Sequence, residues 1–292
     1  MPSKAIGSLA ARLRRGEFVA APGVFELISA RIADRIGFPA LYMTGYGTVA
    51  SYLGLPDAGL ASYSDMVDRV ARICGATETP VIADADTGYG GLLNVQHTVR
   101  GYEQAGAAAI QLEDQEFPKK CGHTPGRRVV PIADMVAKIE VALAARQSRD
   151  FLIIARTDAR TEHGLDEALR RGEAFAEAGA DIIFIEAPES AEEMRAIARA
   201  LRDKPLLANI VEGGKTPVLT AKELKEIGYA MAIFPATAFL ATAATLRSVY
   251  EHISREGSSR GVKNPLYDFE AFGKLMGFEA VWDFERRWAG QD

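Results

Sequence analysis

The sequence has few of the residues that mark disulfide-rich or metal-thiolate proteins. Its 292 residues include two cysteines, Cys74 and Cys121, and four histidines. Two cysteines this far apart do not form a disulfide framework, and they favour a reducing compartment, so we predict a cytoplasmic protein. His97, His163 and His252 show no metal-ligand spacing, and we predict structural roles for them.

Charge and hydropathy argue against two classes of partner. The formal net charge is −5, and no long run of lysine or arginine suggests a nucleic-acid surface. No apolar run approaches the ~20 residues that span a bilayer. Residues 1–16 contain four cations and no acid, which fits either a transit peptide or, as we favour, a short helix beneath a barrel.

Four segments repeat one pattern, in which an amphipathic helix ends at a glycine and an apolar run follows. They are ADRIGFPALYM (33–43), YEQAGAAAIQLE (102–113), AFAEAGADIIFIE (174–186) and LKEIGYAMAIF (224–234). Their glycines stand where a helix needs a left-handed residue before the next strand: Gly37, Gly106, Gly179 and Gly228. The pattern predicts repeated helix-strand units.

Further apolar runs at 18–21, 80–83, 151–155 and 205–208 complete a set of eight predicted strands. Short, continuous runs are typical of a parallel sheet covered on both faces. Strands that alternate with helices predict a (β/α)₈ barrel over residues 1–255, with a doubly wound open sheet as the alternative. Residues 256–292 are predicted to be a linker and a C-terminal helical extension that packs on the barrel or on a neighbouring subunit.

Polar residues stand where most of the predicted strands end. Functional side chains of such barrels gather at these carboxyl ends. The ends carry Tyr42 to Gly47, Asp84 to Asp86, Glu113 and Asp114, Arg156 to Asp158, Glu186, and Asn209. A structural barrel needs no acids at so many strand ends, so the pattern predicts an active site there.

Asp84 and Asp86 suggest a metal most directly. If the strand continues through both, their carboxylates face the same side. Two like charges this close need a cation, and hard oxygen ligands suit Mg²⁺ or Mn²⁺. Asp57 and Glu113 are further candidate ligands, while the alternative is a pair of loop or helix-cap aspartates.

Arg156 and Asn209 are candidate contacts for an anionic substrate. An arginine at a strand end is costly to bury without a carboxylate, which Glu186 or the substrate would supply. The side-chain amide of Asn209 is a candidate donor to a substrate carboxylate.

The connection at 115–131, QEFPKKCGHTPGRRVVP, is long and interrupted by glycine and proline, which is typical of an active-site lid. It places Cys121 among Lys119, Lys120 and His123. Cationic neighbours lower the pKa of a thiol toward neutrality, so Cys121 is a candidate proton donor. The alternative is a solvated basic loop with an incidental cysteine.

Together these motifs resemble the isocitrate lyase/phosphoenolpyruvate mutase superfamily over almost the whole chain. The matching segments are the Tyr42 to Gly47 run, Leu53 to Asp57, Asp84 to Gly90, Glu113 to Gln115, Lys119 to His123, Ala155 to Ala159, and Ala208-Asn209. The resemblance implies an α/β barrel and homotetramers built from dimers that exchange their final helix.

The resemblance also implies the site. Asp84 and Asp86 would hold Mg²⁺ directly or through water, supported by Asp57 and Glu113. Cys121 would be the catalytic thiol on a gating loop. The residues expected to line the substrate site are Thr44, Gly45, Tyr46, Gly122, Arg156 and Asn209.

Three departures bear on the substrate. The methylisocitrate branch has an arginine where Leu240 follows Phe239, a small residue at Tyr46, and Thr-Glu-Phe-Gly at Val211 to Gly214. One cation fewer suits a substrate with one carboxylate fewer, because an unpaired buried carboxylate costs several kcal/mol. The Met43 to Gly47 run resembles the 2,3-dimethylmalate lyase branch.

The sequence therefore predicts a lyase for a 2-alkylmalate-type dicarboxylate. A base, which could be Tyr42, Glu186 or a metal-bound hydroxide, would take the hydroxyl proton, and Cys121 would protonate the departing carbon. The alternatives are a 2-methylisocitrate lyase, an oxaloacetate acetylhydrolase, a phosphonopyruvate-processing enzyme, and a non-catalytic binding barrel.

Overall fold

Eight strands form the centre of the protein. The structure is a computed structural model that describes residues 4–122, 124 and 126–289, so His123 lies outside the described residues. Within them the strands are β1 Val19–Val24, β2 Leu41–Met43, β3 Val81–Asp84, β4 Ala109–Glu113, β5 Leu152–Thr157, β6 Ile182–Ile185, β7 Leu207–Asn209 and β8 Met231–Phe234.

The strands are parallel and lie in the order β6-β5-β4-β3-β2-β1-β8-β7. A parallel bridge between Ile183 and Leu206 joins the two ends of this order. The amide of Ile183 also donates to the Pro205 carbonyl at 3.0 Å. The sheet therefore curls into a nearly closed barrel, and the predicted barrel is confirmed over the open sheet.

Helices precede, alternate with and follow the strands. In the described chain they are α1 Lys4–Arg14, α2 Leu27–Ile36, α3 Gly45–Leu53, α4 Tyr63–Ala76, α5 Leu92–Gln104, α6 Ile132–Ala145, α7 Ala159–Glu177, α8 Ala191–Ala200, α9 Ala221–Ile227, α10 Thr237–Glu256, α11 Phe269–Leu275 and α12 Phe278–Trp288. The four glycines predicted to be left-handed all have positive φ: Gly37, Gly106, Gly179 and Gly228.

The N-terminal segment forms the predicted short helix. Leu9 and Ala10 of α1 are buried in the same apolar cluster as Val19 and Met231, which begin strands β1 and β8. Parallel strands place these beginnings at one end of the barrel, so α1 covers its floor. The polar strand ends lie at the opposite end, where they can form a site.

The chain divides into two compact units, Met1–Phe239 and Leu240–Asp292. The second unit carries exposed aromatic side chains on its helices, among them Phe269 at 91%, Phe284 at 65% and Trp288 at 53% exposure. A division into a barrel domain ending at residue 255 and a C-terminal region from residue 256 stays a prediction. Among the described helices, none has the length and hydropathy to cross a membrane.

Candidate active site

The two candidate metal aspartates lie in a turn, Asp84 to Gly88, which we call the acidic turn. Strand β3 ends at Asp84, and the backbone of Asp86 is left-handed with φ 49°. The condition stated for the strand, that it continues through both residues, is therefore not met. The turn itself brings them together, because the Asp86 amide donates to Asp84 Oδ1 at 3.1 Å.

A chain of side chains orients Asp84. Tyr42 Oη donates to Gln111 Oε1 at 2.8 Å, and Gln111 Nε2 donates to Asp84 Oδ1 at 3.3 Å. Burial, together with the negative charge of Asp84, raises the pKa of Tyr42 well above its ordinary value. Sequence reasoning missed Gln111, although it stands two residues before Glu113 on β4 and so shares its face.

Lys119 lies between two of the predicted metal residues. Its Nζ is 2.5 Å from Asp57 Oδ1 and 2.6 Å from Asp86 Oδ1, and the side chain is 4% exposed. Burial alone would lower the pKa of Lys119, but the carboxylates of Asp86 and Asp57 raise it well above its ordinary value. Burial raises the pKa of Asp86 to about 6, although Lys119 acts in the opposite direction. Lys119 was expected to lower the pKa of the Cys121 thiol, but its ammonium group is paired with Asp57 and Asp86.

Arg156 is held by three carboxylates. Its Nε and Nη2 each donate to one carboxylate oxygen of Asp158 at 2.8 Å, which makes a bidentate contact. Nη2 also lies 3.3 Å from Glu186 Oε2, and Nε lies 3.5 Å from Glu113 Oε2. The predicted pairing with Glu186 is confirmed, but sequence reasoning missed the shorter contact with Asp158.

Glu186 connects Arg156 to Asn209. Asn209 Nδ2 donates to Glu186 Oε2 at 3.0 Å, and the Ala187 amide donates to Glu186 Oε1 at 2.9 Å. Asn209 Oδ1 is buried and finds no hydrogen-bond partner among the described residues. The amide group therefore presents an acceptor oxygen beside the charged cluster.

The predicted lid, residues 115–131, is tied to the cluster by hydrogen bonds in addition to the Lys119 ion pairs. Gln115 Nε2 donates to Glu113 Oε1 and to the Lys120 carbonyl, both at 2.8 Å, while its Oε1 accepts from the Lys120 amide at 3.0 Å. The Cys121 amide donates to the Asp57 carbonyl at 3.2 Å. Sequence reasoning missed Gln115, which the Glu113-Asp114-Gln115 run could have indicated.

Gly122, which follows Cys121, lies directly against Arg156 and Glu186. A Cβ atom on Gly122 would stand 2.3 Å from Arg156 Nη2 and 3.2 Å from the Glu186 carboxyl carbon. Only glycine permits this approach. The half-buried Cys121 is therefore carried next to the charged groups, whereas the Lys120 ammonium donates to the Gly126 carbonyl at 3.1 Å.

Thr44 and Gly45 lie beside the acidic turn, and the ring of Tyr46 packs near that of Phe239. A Cβ atom on Gly45 would stand 2.6 Å from Asp84 Oδ2, so the start of α3 passes close to that carboxylate. Thr44 is buried at 3% exposure, while Tyr46 is 42% exposed and its ring lies 5.3 Å from that of Phe239.

More carboxyl groups than cationic side chains are buried here among the described residues. The buried carboxylates are those of Asp57, Asp84, Asp86, Glu113, Asp114, Asp158 and Glu186. The buried cations are those of Lys119, Arg127, Arg156 and Arg171. Burial is also the main cause that raises the pKa of Glu113 well above its ordinary value and that of Asp114 to about 6.

This excess of carboxyl groups and their oxygen donors fit a divalent cation. No group of three acid, histidine or cysteine side chains in the described chain is close enough to hold a metal by itself. Mg²⁺ does not need one, since it takes one or two carboxylates and completes its shell with water and substrate oxygens. Asp84 and Asp86 suit that arrangement.

Comparison with known proteins gives concordant matches along the chain. The family model for phosphoenolpyruvate phosphomutase matches residues 9–254. The chain is 47% identical over 273 residues to the 2,3-dimethylmalate lyase of Eubacterium barkeri, with 94% of each covered. It is 44% identical over 275 residues to the 2-methylisocitrate lyase of Aeropyrum pernix, covering 94% of this chain and 87% of that one.

Solved structures show the same fold. The crystal structure of 2,3-dimethylmalate lyase gives a TM-score of 0.92 at 38% identity, covering 99% of this chain and 96% of that one. Phosphonopyruvate hydrolase in complex with oxalate and Mg²⁺ gives 0.88 at 32% identity, with 98% and 99% covered. With this barrel, this site and these relatives, the chain belongs to the PEP mutase/isocitrate lyase superfamily and is a carbon–carbon lyase.

Proposed function

We propose that the protein is a Mg²⁺-dependent lyase for a 2-hydroxy dicarboxylate of the 2-alkylmalate type, such as 2,3-dimethylmalate. The products would be pyruvate or another 2-oxo acid and a carboxylic acid. The observation that carries the proposal is the single cluster in which the acidic turn, Arg156 and the Cys121 segment meet. The 47% identity to a 2,3-dimethylmalate lyase supports the choice of substrate.

Asp84 and Asp86 would hold the cation, with Asp57 and Glu113 in support and Mn²⁺ as a possible substitute for Mg²⁺. The chemistry that the bound ion supplies is a lower pKa for the substrate hydroxyl and neutralisation of nearby negative charge. Gln111 holds Asp84 in place, and Lys119 holds Asp86 and Asp57. These contacts fix the carboxylates before a substrate arrives.

Glu186 is better placed than Tyr42 to accept the hydroxyl proton. The Tyr42 phenol keeps its proton because burial raises its pKa and because that proton is donated to Gln111. Glu186 is fixed by Asn209 and Arg156 beside Gly122. When the hydroxyl proton leaves, the bond between C2 and C3 breaks, C2 becomes the carbonyl carbon of the 2-oxo acid, and the electron pair passes to C3.

Arg156 and Asn209 would bind the departing fragment, and the lid would supply its proton. Within the described chain, the contacts of Arg156 use Nε and Nη2, so we assign Nη1 to a carboxylate of the substrate. Asn209 stays a predicted substrate donor through its second amide hydrogen. The Cys121 thiol would give its proton to C3, with Lys120 and His123 as predicted neighbours that tune it.

The wall near Tyr46 would select the substrate. Tyr46 and Phe239 form an aromatic surface. A 2-methylisocitrate lyase is expected to have a small residue in place of Tyr46 and an arginine after the phenylalanine, where this chain has Leu240. The loop after Asn209 is held by Glu212 Oε1, which accepts from Thr237 Oγ1 at 2.6 Å. An apolar wall suits an alkyl group, whereas a third carboxylate would lack a cation there.

Assembly into a homotetramer of helix-exchanged dimers stays a prediction. The exposed aromatic side chains of residues 240–292 support an apolar contact with a neighbouring subunit.

A substrate panel tests the function. We expect pyruvate and propanoate from 2,3-dimethylmalate with Mg²⁺, no turnover after chelation with EDTA, and recovery when Mg²⁺ is restored. The same assay should include 2-methylisocitrate, oxaloacetate and phosphonopyruvate. Preferential cleavage of 2-methylisocitrate would indicate a 2-methylisocitrate lyase, and release of oxalate from oxaloacetate would indicate an oxaloacetate acetylhydrolase. Release of phosphate from phosphonopyruvate would indicate a phosphonopyruvate-processing enzyme. No turnover at all would indicate a non-catalytic binding barrel.

Replacement of the lid thiol tests the proton donor. Cys121→Ser should lower kcat by about 10²–10⁴, the usual contribution of a general acid, and leave substrate affinity in the presence of Mg²⁺ nearly unchanged. Cys74→Ser is the matched control, because Cys74 lies on α4, where burial raises its pKa to about 12. Near-full activity of Cys121→Ser would remove the thiol from the mechanism.

A methyl group at Gly122 tests the docked lid. Gly122→Ala would place a Cβ atom 2.3 Å from Arg156 Nη2, so the lid or the guanidinium must move. We expect kcat/KM to fall by about 10²-fold, because small displacements at a reacting centre are costly. Gly75→Ala is the control, since no described atom beyond its chain neighbours and its own helix backbone lies within 4 Å of the added methyl group. Equal activity of the two variants would contradict a lid that closes onto Arg156.

A further inference from the structure

Every carbonyl group of the acidic turn accepts a hydrogen bond. Two of the donors are backbone amides, Gly88 to the Ala85 carbonyl and Glu113 to the Asp86 carbonyl, both at 2.9 Å. The other three are side chains from outside the turn: Tyr102 Oη to the Asp84 carbonyl at 3.3 Å, Lys138 Nζ to the Thr87 carbonyl at 2.8 Å, and Thr98 Oγ1 to the Gly88 carbonyl at 3.2 Å.

The turn needs this support because its backbone is unusual. Asp86 within the turn and Tyr89 directly after it both have positive φ, 49° and 59°, which residues with a Cβ atom rarely adopt. Such conformations persist where the surroundings over-determine them, and they gather at functional sites. The side-chain donors come from two helices, α5 for Thr98 and Tyr102 and α6 for Lys138, so the packed helix layer fixes the turn.

The two α5 donors are themselves fixed. Tyr102 is fully buried, and its hydroxyl lies 2.8 Å from that of Tyr89. Because the Tyr102 proton goes to the Asp84 carbonyl, Tyr89 donates to Tyr102. Thr98, one helical turn earlier, is 1% exposed. Lys138 differs from both, since it is half-buried and brings an ammonium group to the peptide between Thr87 and Gly88.

We propose that Lys138, assisted by Thr98 and Tyr102, is a positioning residue that sets the affinity of the acidic turn for its divalent cation. Lys138 touches neither carboxylate. It acts by holding the Thr87 carbonyl, so that the Asp86 side chain stays aimed beside Asp84. This role rests on the proposed function, because it requires the two aspartates to hold a metal.

A matched lysine distinguishes positioning from general stability. Lys204 Nζ also donates to one backbone carbonyl, that of Ala180, at 2.9 Å. Ala180 precedes β6, at the end of the barrel opposite the acidic turn. Lys204→Met therefore removes the same kind of hydrogen bond and the same charge, away from the site.

The test measures Mn²⁺ affinity without substrate, by electron paramagnetic resonance of the free ion, and the thermal midpoint in EDTA. We expect Lys138→Met to raise the Kd for Mn²⁺ about tenfold, as loss of a supporting contact commonly does. Lys204→Met should bind Mn²⁺ as the unaltered protein does, while both variants lower the thermal midpoint by similar amounts. Thr98→Val, which keeps the side-chain shape, should also raise the Kd and serves if Lys138→Met does not fold.

Three results would overturn the inference. An unchanged Kd in Lys138→Met and Thr98→Val would remove positioning while leaving the metal site intact. An equal rise in Kd in Lys204→Met would show a general loss of stability. Failure of the unaltered protein to bind Mn²⁺ at all would remove the metal role of the aspartates together with this inference.

Discussion

The excess of buried carboxyl groups over buried cations at the carboxyl end of the barrel is the constraint on which the site depends. Seven carboxylates share four cations among the described residues, and each cation is placed between acids or against them. Removing one partner from a buried pair costs about 3–5 kcal/mol. The side chains are therefore held in one arrangement, and the remaining carboxyl groups support the proposed divalent cation at Asp84 and Asp86.

The same ion pairs hold the lid in place. Lys119 is a lid residue, yet its ammonium bridges Asp57 and Asp86, and Gln115 joins Glu113 to the lid backbone. The contacts that pair with the acids are therefore the same contacts that hold the segment carrying Cys121. In the proposed mechanism, a lid anchored in this way would bring its thiol near the reacting carbon only when the acids around the proposed metal position are correctly arranged.

Much of the fold could be predicted because local physical rules determine it. Strands buried on both faces are continuous apolar runs, and glycines end the preceding helices, so all eight strands and the barrel followed from the sequence. The strand-end rule also located Asp84, Glu113, Arg156 and Asn209.

Pairings between separate loops could not be predicted. Lys119 and Asp57 are 62 residues apart, and only the closed barrel brings their loops together. The lysine was expected to act on the nearby thiol because sequence proximity was the available guide. The left-handed conformation of Asp86 could not be predicted for a similar reason. A D-x-D pair is compatible with a strand, and the hydrogen-bond donors that stabilise the turn instead lie on α5 and α6.

Cleavage of 2,3-dimethylmalate in D₂O tests the central claim most directly. If a lid thiol delivers the proton to C3 within the closed site, the released propanoate carries one deuterium at C2, in a single configuration, as read by mass spectrometry and by NMR with a chiral auxiliary. Propanoate with no deuterium at C2, or with deuterium equally in both configurations, would contradict protonation of the carbon by a fixed group of the enzyme.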